Sequence, residues 1–239
     1  DRTAAMRPQP VEHVVHEDLR NGRAARQAHG LAPVEPRLVE FGSGVAFMPS
    51  SYSLASGPWV CDHEGASARS LNLSEWGIAQ ASANLTSVGS SFVFAATDSD
   101  GDRELWRSDG TTEGSARLAD IFPAGSSAPD NFFAFDGRVL FTSIDAGHGR
   151  ELWITDGTSA GTAMVADIAP GLMSSSPADF QLSHGAVVFT AGTSATGREL
   201  WVTAGTPEST RLLADANPGP ASSLPAEITP TAGRIFFRA

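Results

Sequence analysis

Four acidic side chains lie at alternate positions in one short stretch, DSDGDRE, at residues 98–104. They are Asp98, Asp100, Asp102 and Glu104. Carboxylates spaced in this way around a glycine can supply several of the about six to eight oxygens that Ca²⁺ binds in proteins. The distal glutamate of an EF-hand loop is absent, because the twelfth position holds the shorter Asp109. The sequence favours a solvated polar turn and leaves a calcium site as the alternative.

A second candidate metal site combines sulfur and nitrogen ligands. Cys61 and His63 lie in WVCDHE, and His13 and His16 lie in HVVHE. Thiolate and imidazole bind zinc or copper, so the four could form one site if the two segments fold together. The spacing HxxHE differs from the HExxH of zinc proteases and excludes a metalloprotease. Packing also explains the divergence of WVCDHE, because terminal repeats cap an array.

Signatures of nucleophilic catalysis are absent from the sequence, which has no GxSxG motif and no phosphate-binding glycine loop. Glu104, Glu151 and Glu199 recur in one column, so carboxylates from several repeats could line a central funnel and act on glycosidic bonds. A simpler interpretation is a half-exposed Arg–Glu pair at each strand start, with salt bridges to neighbouring arginines. A hydrolase or lyase therefore remains an alternative function.

These side chains must be positioned by an internal repeat. The tryptophans recur at spacings of 47, 47 and 48 residues, together with phenylalanine and aspartate columns. They are Trp59, Trp106, Trp153 and Trp201. Each copy contains four short segments rich in β-branched and aromatic residues, which are typical of strands. The period is typical of a propeller blade and predicts an all-β propeller of four-stranded repeats at about 42–89, 90–137, 138–185 and 186–233.

The most regular phrase of the repeat, RELWRSDGTTEGSARLADI, predicts a hairpin. Leu and Trp are neighbours in ELW, so they point to opposite faces of a strand, and both faces should be covered by other sheets. Asp109 and Asp156 should each hold an Asx turn in which the next glycine has a positive φ. The phrase is therefore interpreted as architecture rather than as a catalytic motif.

The two ends of the repeat array predict how its blades meet. A strand of the last type, within 35–47, precedes the first repeat, and 233–239 is a strand of the first type. A five-bladed ring results if these two half-blades pair and residues 8–33 supply the missing strands, with VEHVVHE at 11–17 as a candidate. The alternative is a protein that continues past Ala239.

The sequence divides into two regions. Residues 1–33 are rich in arginine and alanine and form an N-terminal arm or closing segment, and residues 34–239 form the propeller. The formal charge of −11 excludes nucleic acid and anionic membrane as partners, because both need clustered cationic side chains. No apolar run reaches the roughly 20 residues of a membrane-spanning helix.

The phrases ELWRSDGT, ELWITDGT and ELWVTAGT resemble the ELWxxDGT-repeat family of bacterial proteins. The resemblance covers 90–239 well, 38–89 weakly and 1–33 not at all, and Ala204 departs from it where the motif has Asp. It implies an exported or surface β-propeller without a shared catalytic set.

We therefore expect a secreted or cell-surface recognition or adhesion module that binds glycans or other surface proteins through its blade loops. The alternatives are the hydrolase or lyase above and an exported protein that binds Ca²⁺ or copper. The oligomeric state stays open at this stage.

Overall fold

The computed structural model describes residues 38–42, 44–48, 57–63, 68–81 and 84–239. Within these ranges the regular structure is nineteen β-strands and one 3₁₀ turn, Leu73–Trp76. The all-β prediction is confirmed. No helix in the described part is long and apolar enough to cross a membrane.

The strands form five antiparallel sheets in chain order. The first sheet contains β1 (Val39–Phe41), β2 (Gly44–Phe47), β3 (Trp59–Cys61) and β4 (Arg69–Ser70). The second contains β5 (Ile78–Ala81), β6 (Thr86–Val88), β7 (Ser91–Asp98), β8 (Arg103–Ser108) and β9 (Ala116–Ala119). The third contains β10 (Asp130–Phe135), β11 (Arg138–Ser143), β12 (Glu151–Thr155) and β13 (Ala163–Ala166).

The fourth sheet repeats the third, and the fifth holds two strands. The fourth contains β14 (Ala178–Ser183), β15 (Ala186–Thr193), β16 (Gly197–Thr203) and β17 (Arg211–Ala214). The fifth contains β18 (Ala226–Thr231) and β19 (Arg234–Arg238). In the second sheet β5 and β6 share the first position, because β6 pairs with the start of β7 and β5 with its end.

Each sheet begins with the strand that the sequence repeat places last. The cause is a two-residue hairpin turn between the last strand of one repeat and the first strand of the next. Its residues, Asp136–Gly137 and His184–Gly185, all have the positive φ values that the favoured hairpin turns require. The turn ties β10 to β11 and β14 to β15, so the hairpin crosses the repeat boundary. The predicted pairing of the first strand with the last is wrong for the described residues, since β1 pairs with β2 and β18 with β19.

Leucine and tryptophan of the ELW phrase join successive sheets. Leu152 belongs to a buried cluster with Phe180 and Phe189 of the fourth sheet. Trp153 packs instead on a cluster with Val93 and Leu105 of the second sheet. The prediction that ELW side chains point to opposite, covered faces is confirmed. Because the same contacts recur in the next sheets, the core is a series of apolar layers between stacked sheets.

Candidate functional site

The aspartate of the DGT phrase closes the turn between the third and fourth strands. The N–H and the hydroxyl of Thr111 both donate to Asp109 Oδ1, at 2.9 and 2.7 Å, and Thr111 Oγ1 accepts the N–H of Gly114 at 2.9 Å. Asp156 receives the same two bonds from Thr158, at 2.8 and 2.7 Å. These bonds, the hydroxyl first, lower the pKa of both carboxyls. The predicted Asx turn is confirmed.

The glycine of the same phrase packs on the preceding sheet. Gly110 and Gly157 have φ values of +90° and +86°, in the region that favours glycine. A Cβ on Gly110 would lie 2.6 Å from Phe41, and one on Gly157 would lie 3.0 Å from Val88. The DGT turn is therefore a contact between sheets.

A serine replaces the missing aspartate in the fourth sheet. Ser209 Oγ accepts the N–H of Ala204 at 2.9 Å and the N–H of Thr206 at 3.2 Å, as an aspartate oxygen would. In the third sheet the position of Ser209 is Gly161, where a Cβ would lie 2.1 Å from Asp156 Oδ1. Aspartate with glycine and alanine with serine are thus two ways of building one turn.

The recurring glutamates bind the connections between sheets. Glu104, Glu151 and Glu199 are each 0 % exposed. Glu151 Oε1 accepts the N–H of Ser175 at 2.9 Å, while Oε2 accepts the Ser175 hydroxyl at 2.5 Å and the N–H of Ile168 at 3.0 Å. We call this arrangement the glutamate clamp. The equivalent partners are Ser127 and Ile121 for Glu104, and Ser223 and Ala216 for Glu199.

The prediction of half-exposed glutamates paired with arginines is wrong. None of the ion pairs in the described residues includes Glu104, Glu151 or Glu199, because the connection folds over each strand start and buries it. Burial raises the pKa of Glu104 and Glu151, and the bonds from serine and backbone oppose that rise. The signal in the sequence that could have predicted this burial is a serine that follows each glutamate by 23 or 24 residues and donates its hydroxyl to it.

The acidic turn between β7 and β8 folds onto itself and onto an arginine. Asp98 Oδ1 accepts the N–H groups of Asp102 and Asp100 at 2.9 and 3.0 Å. These bonds, that of Asp102 first, lower the pKa of Asp98. The Arg117 guanidinium lies 3.5 Å from Asp98, 3.1 Å from Asp102 and 3.2 Å from Asp120. The turn therefore already holds a cation of the chain itself.

Two of the predicted calcium ligands, Asp102 and Glu104, lie close together, and a third carboxylate joins them. Oxygens of Asp102, Glu104 and Asp120 lie within 4.8 Å of one another, whereas Asp100 is exposed. One oxygen of Asp102 is shielded from solvent and accepts no hydrogen bond from the described residues. Burial raises the pKa of Asp102, and Arg117 opposes this. The calcium site stays a prediction, and Asp120 lies beside two of its predicted ligands.

The third sheet holds a histidine in the equivalent place. His148 Nδ1 lies 2.8 Å from Asp145 Oδ1, and His148 Nε2 lies 3.9 Å from Asp167 Oδ2. Asp145 and Asp167 follow Asp98 and Asp120 by 47 residues. The hydrogen bond with Asp145 raises the pKa of His148 and favours its charged form. Two neighbouring sheets thus place different basic side chains, Arg117 and His148, at the same acidic position.

Cys61 lines a cleft of about 220 Å³ between the first two sheets, with Phe41, Arg69 and the turn at 109–111 around it. Burial, followed by the charge of Asp62, raises the pKa of the Cys61 thiol. A raised pKa disfavours the thiolate that metal binding needs.

The structure shows no cluster that would join Cys61 to the other predicted ligands of the soft-metal site among the described residues. His63 is exposed, and His13 and His16, like the predicted strand 11–17, lie outside the described residues. This site stays a prediction.

One end of the sheets combines the acidic turns with exposed apolar residues. We call it the connection end. It carries the turns between second and third strands, at 99–102, 144–150 and 194–196, and the connections between sheets, at 120–129, 167–177 and 215–225. Leu172 and Met173 are 79 % and 61 % exposed there. A surface with both apolar and acidic side chains can bind a ligand that is apolar and basic.

Comparisons with known proteins agree on the fold. No protein-family model matches the chain, and no curated protein matches its sequence. Puromycin hydrolase has a TM-score of 0.50 and 17 % identity, over 81 % of this chain and 31 % of that one. TolB from Acinetobacter baumannii has a TM-score of 0.47 and 14 % identity, over 84 % of this chain and 50 % of that one.

The chain thus spans half of the TolB structure and about a third of puromycin hydrolase. At these identities the likeness concerns the fold alone. The likeness to puromycin hydrolase, together with the four-stranded antiparallel sheets, confirms the predicted fold class, a β-propeller.

Proposed function

We propose that the chain is an exported or cell-surface recognition module of the ELWxxDGT-repeat type, which binds a protein ligand through its connection end. One observation carries the proposal. The residues that repeat are engaged inside the propeller, in clamps, turns and layers, while residues peculiar to one sheet are exposed at the connection end. Asp100, Leu172 and Met173 are examples. Loops on a rigid scaffold are a frequent place for binding residues.

The exposed side chains favour a protein over a glycan as the ligand. Leu172 and Met173 are aliphatic and present no aromatic ring on which a sugar could stack. Carboxylates at the same end of the sheets, such as the exposed Asp100, favour basic groups on the ligand. The recurring glutamates do not favour a hydrolase, because each is bound to its own connection by the glutamate clamp.

Selection of displayed peptides on the immobilised protein tests this function. We expect enriched peptides to contain basic and apolar residues, and their binding to weaken with salt. The double variant Leu172→Ser with Met173→Ser should lose binding. The matched control is Leu182→Ser, a 59 % exposed leucine on β14, near the opposite end.

Binding that survives the double variant contradicts the proposed site. Saturable binding on a glycan array that depends on Leu172 and Met173 would replace the protein ligand with a glycan.

Calcium binding at the acidic turn is a second candidate, favoured by the shielded oxygen of Asp102. The ion has to displace the Arg117 guanidinium from the carboxylates. Calcium binding to the folded protein should raise its melting temperature. Because Arg117 competes with the ion, Arg117→Gln should increase calcium affinity although it removes ion pairs. Asp102→Asn should abolish the shift, and Asp136→Asn, at an exposed carboxylate, should not. No heat of binding and no thermal shift would exclude the site.

A further inference from the structure

The aspartate that follows the fourth strand of a sheet lies beside a basic side chain in two sheets. In the second sheet the Arg117 guanidinium lies 3.2 Å from Asp120. In the third sheet His148 Nε2 lies 3.9 Å from Asp167 Oδ2. Both basic side chains belong to the same sheet as their aspartate, Arg117 in β9 and His148 in the turn before β12. We call the place that they occupy beside the aspartate the basic position.

The fourth sheet has the aspartate without a basic side chain of its own at this position. Asp215 directly follows β17, the last of the four strands of this sheet. Leu212 occupies the place of Arg117, since each is paired with the tryptophan of its sheet. Thr196 occupies the place of His148, which it follows by 48 residues. An aliphatic side chain and a hydroxyl thus replace the guanidinium and the imidazole.

The Asp215 carboxylate has no partner in the described part of the chain. None of the ion pairs and hydrogen bonds there includes this side chain, and its Oδ1 is shielded from solvent. The two arginines of the fourth sheet are directed elsewhere. Arg198 donates to the carbonyl of Ser176 in the preceding connection at 2.9 Å. Arg211 is next to Leu212 in β17, so their side chains point to opposite faces of the strand.

The turn beside Asp215 keeps its shape without a second charge. Thr193 takes the place that Asp145 has in the third sheet. Its hydroxyl accepts the N–H of Thr196 at 3.1 Å, and Asp145 Oδ1 accepts that of His148 at 2.7 Å. Asp215 is therefore a half-buried carboxylate among uncharged side chains. A carboxylate in such a place favours an opposite charge beside it.

We propose that Asp215 binds a basic side chain, arginine or lysine, of the protein ligand. The guanidinium or ammonium group of the ligand takes the basic position that Arg117 and His148 take in the other two sheets. The inference rests on the proposed function, because Asp215 lies in the connection 215–225 at the connection end. It assigns the basic part of the ligand to the fourth sheet.

A double-mutant cycle with a peptide enriched by the display selection tests this pair. It combines Asp215→Asn in the full chain with the exchange of each basic residue of the peptide for glutamine. We expect Asp215→Asn and one of the exchanges each to weaken binding by roughly fivefold, and the two together hardly more than either alone. Asp136→Asn, at an exposed carboxylate outside the connection end, is the matched control and should not change binding. Additive effects for every basic residue would overturn the pair.

A basic side chain supplied by the chain itself separates this site from general attraction to an acidic protein. Leu212→Arg places a guanidinium where the second sheet has Arg117, so it should weaken peptide binding as much as Asp215→Asn does. Leu212→Gln removes the same aliphatic side chain without adding a charge. It should retain more binding than Leu212→Arg and have a lower melting temperature. Equal loss of binding in both variants would overturn the proposal.

Failure of this inference differs from failure of the proposed function. Peptide binding that needs Leu172 and Met173 but is insensitive to Asp215→Asn would overturn the inference and leave the proposed function in place. If no peptide is enriched, the proposed function fails, and Nα-acetylarginine methylamide becomes the probe. Saturable NMR shifts of the Ala216 amide in the native chain, lost in Asp215→Asn, would then support the inference, and equal shifts in both would overturn it.

Discussion

At the scale of single residues, two positions of the DGT turn differ between sheets as a matched pair. The turn of the third sheet uses Asp156 with Gly161, and that of the fourth uses Ala204 with Ser209. Each pair supplies one oxygen to the N–H group of the threonine in the turn, Thr158 or Thr206. Two oxygens do not fit, because a Cβ at the glycine position collides with the carboxylate.

A double-mutant cycle at Ala204 and Ser209 tests this coupling. Ala204→Asp alone should destabilise the protein by about 1–3 kcal/mol, because the carboxylate meets the serine side chain. Adding Ser209→Gly should recover most of the loss, since the pair then matches that of the third sheet. Urea unfolding of the four proteins measures the coupling. Additive effects of the two changes would contradict it.

His148 should give the stability a pH dependence. The pKa of His148 is raised in the folded protein, first by the hydrogen bond that its Nδ1–H donates to Asp145. Its contribution to stability is therefore complete below the ordinary value of 6.5 and is lost as the pH rises through the higher folded-state value. We expect the melting temperature to fall over this range in the native protein and to fall less in His148→Gln. Identical pH profiles of the two proteins would contradict the role of this histidine.

At the scale of elements, the glutamate clamp fixes the course of each connection. A connection of this length has backbone N–H groups that no strand pairs, and the buried carboxylate of Glu151 accepts three of them together with a serine hydroxyl. Buried polar groups need such partners, which explains why a fully buried glutamate is stable here. The clamp therefore sets the loop conformation that displays Leu172 and Met173.

Removal of one clamp should loosen one connection. Glu151→Ala leaves the N–H groups of Ile168 and Ser175 without an acceptor and should cost about 2–4 kcal/mol. Hydrogen exchange should become faster at 167–177 and remain unchanged at 215–225. Glu113→Ala, at an exposed glutamate, is the matched control. Unchanged exchange at Ile168 would show that the clamp does not hold the connection.

The sequence predicted the strands and their two covered faces, but it did not predict how the strands divide into sheets. A period of 47 or 48 residues specifies what recurs and leaves open where a unit begins. The hairpin turn at Asp136–Gly137 sets where a sheet begins, since it pairs the last strand of one sequence repeat with the first strand of the next. The burial of Glu151 was also missed, because its donors come from a connection more than twenty residues away.

At the scale of the whole molecule, each described sheet contacts the sheets before and after it in the chain through an apolar layer. Stability in such an array is approximately a sum of sheet terms and interface terms. Among the described residues, the fifth sheet contributes two strands and shares an apolar layer with the fourth sheet alone. It should therefore be the least stable of the last three sheets.

Equal truncations in two sheets test this gradient. Phe141 is 0 % exposed between the second and third sheets, and Phe237 is half-buried in the fifth. Phe141→Ala should cost about 3–5 kcal/mol, and Phe237→Ala less than about 2 kcal/mol. Thermal unfolding measures both. A larger loss from Phe237→Ala would mean that the fifth sheet is a central part of the folding unit.

The alternation of leucine and tryptophan along ELW also bears on how such a gene can change. The second, third and fourth sheets each offer the same leucine face to the next sheet and the same tryptophan face to the previous one. Recombination that copies or deletes a whole period, at any breakpoint, returns every strand to neighbours of the kind it had before. The array can therefore lengthen or shorten in one genetic event, while single substitutions are left to diversify the loops.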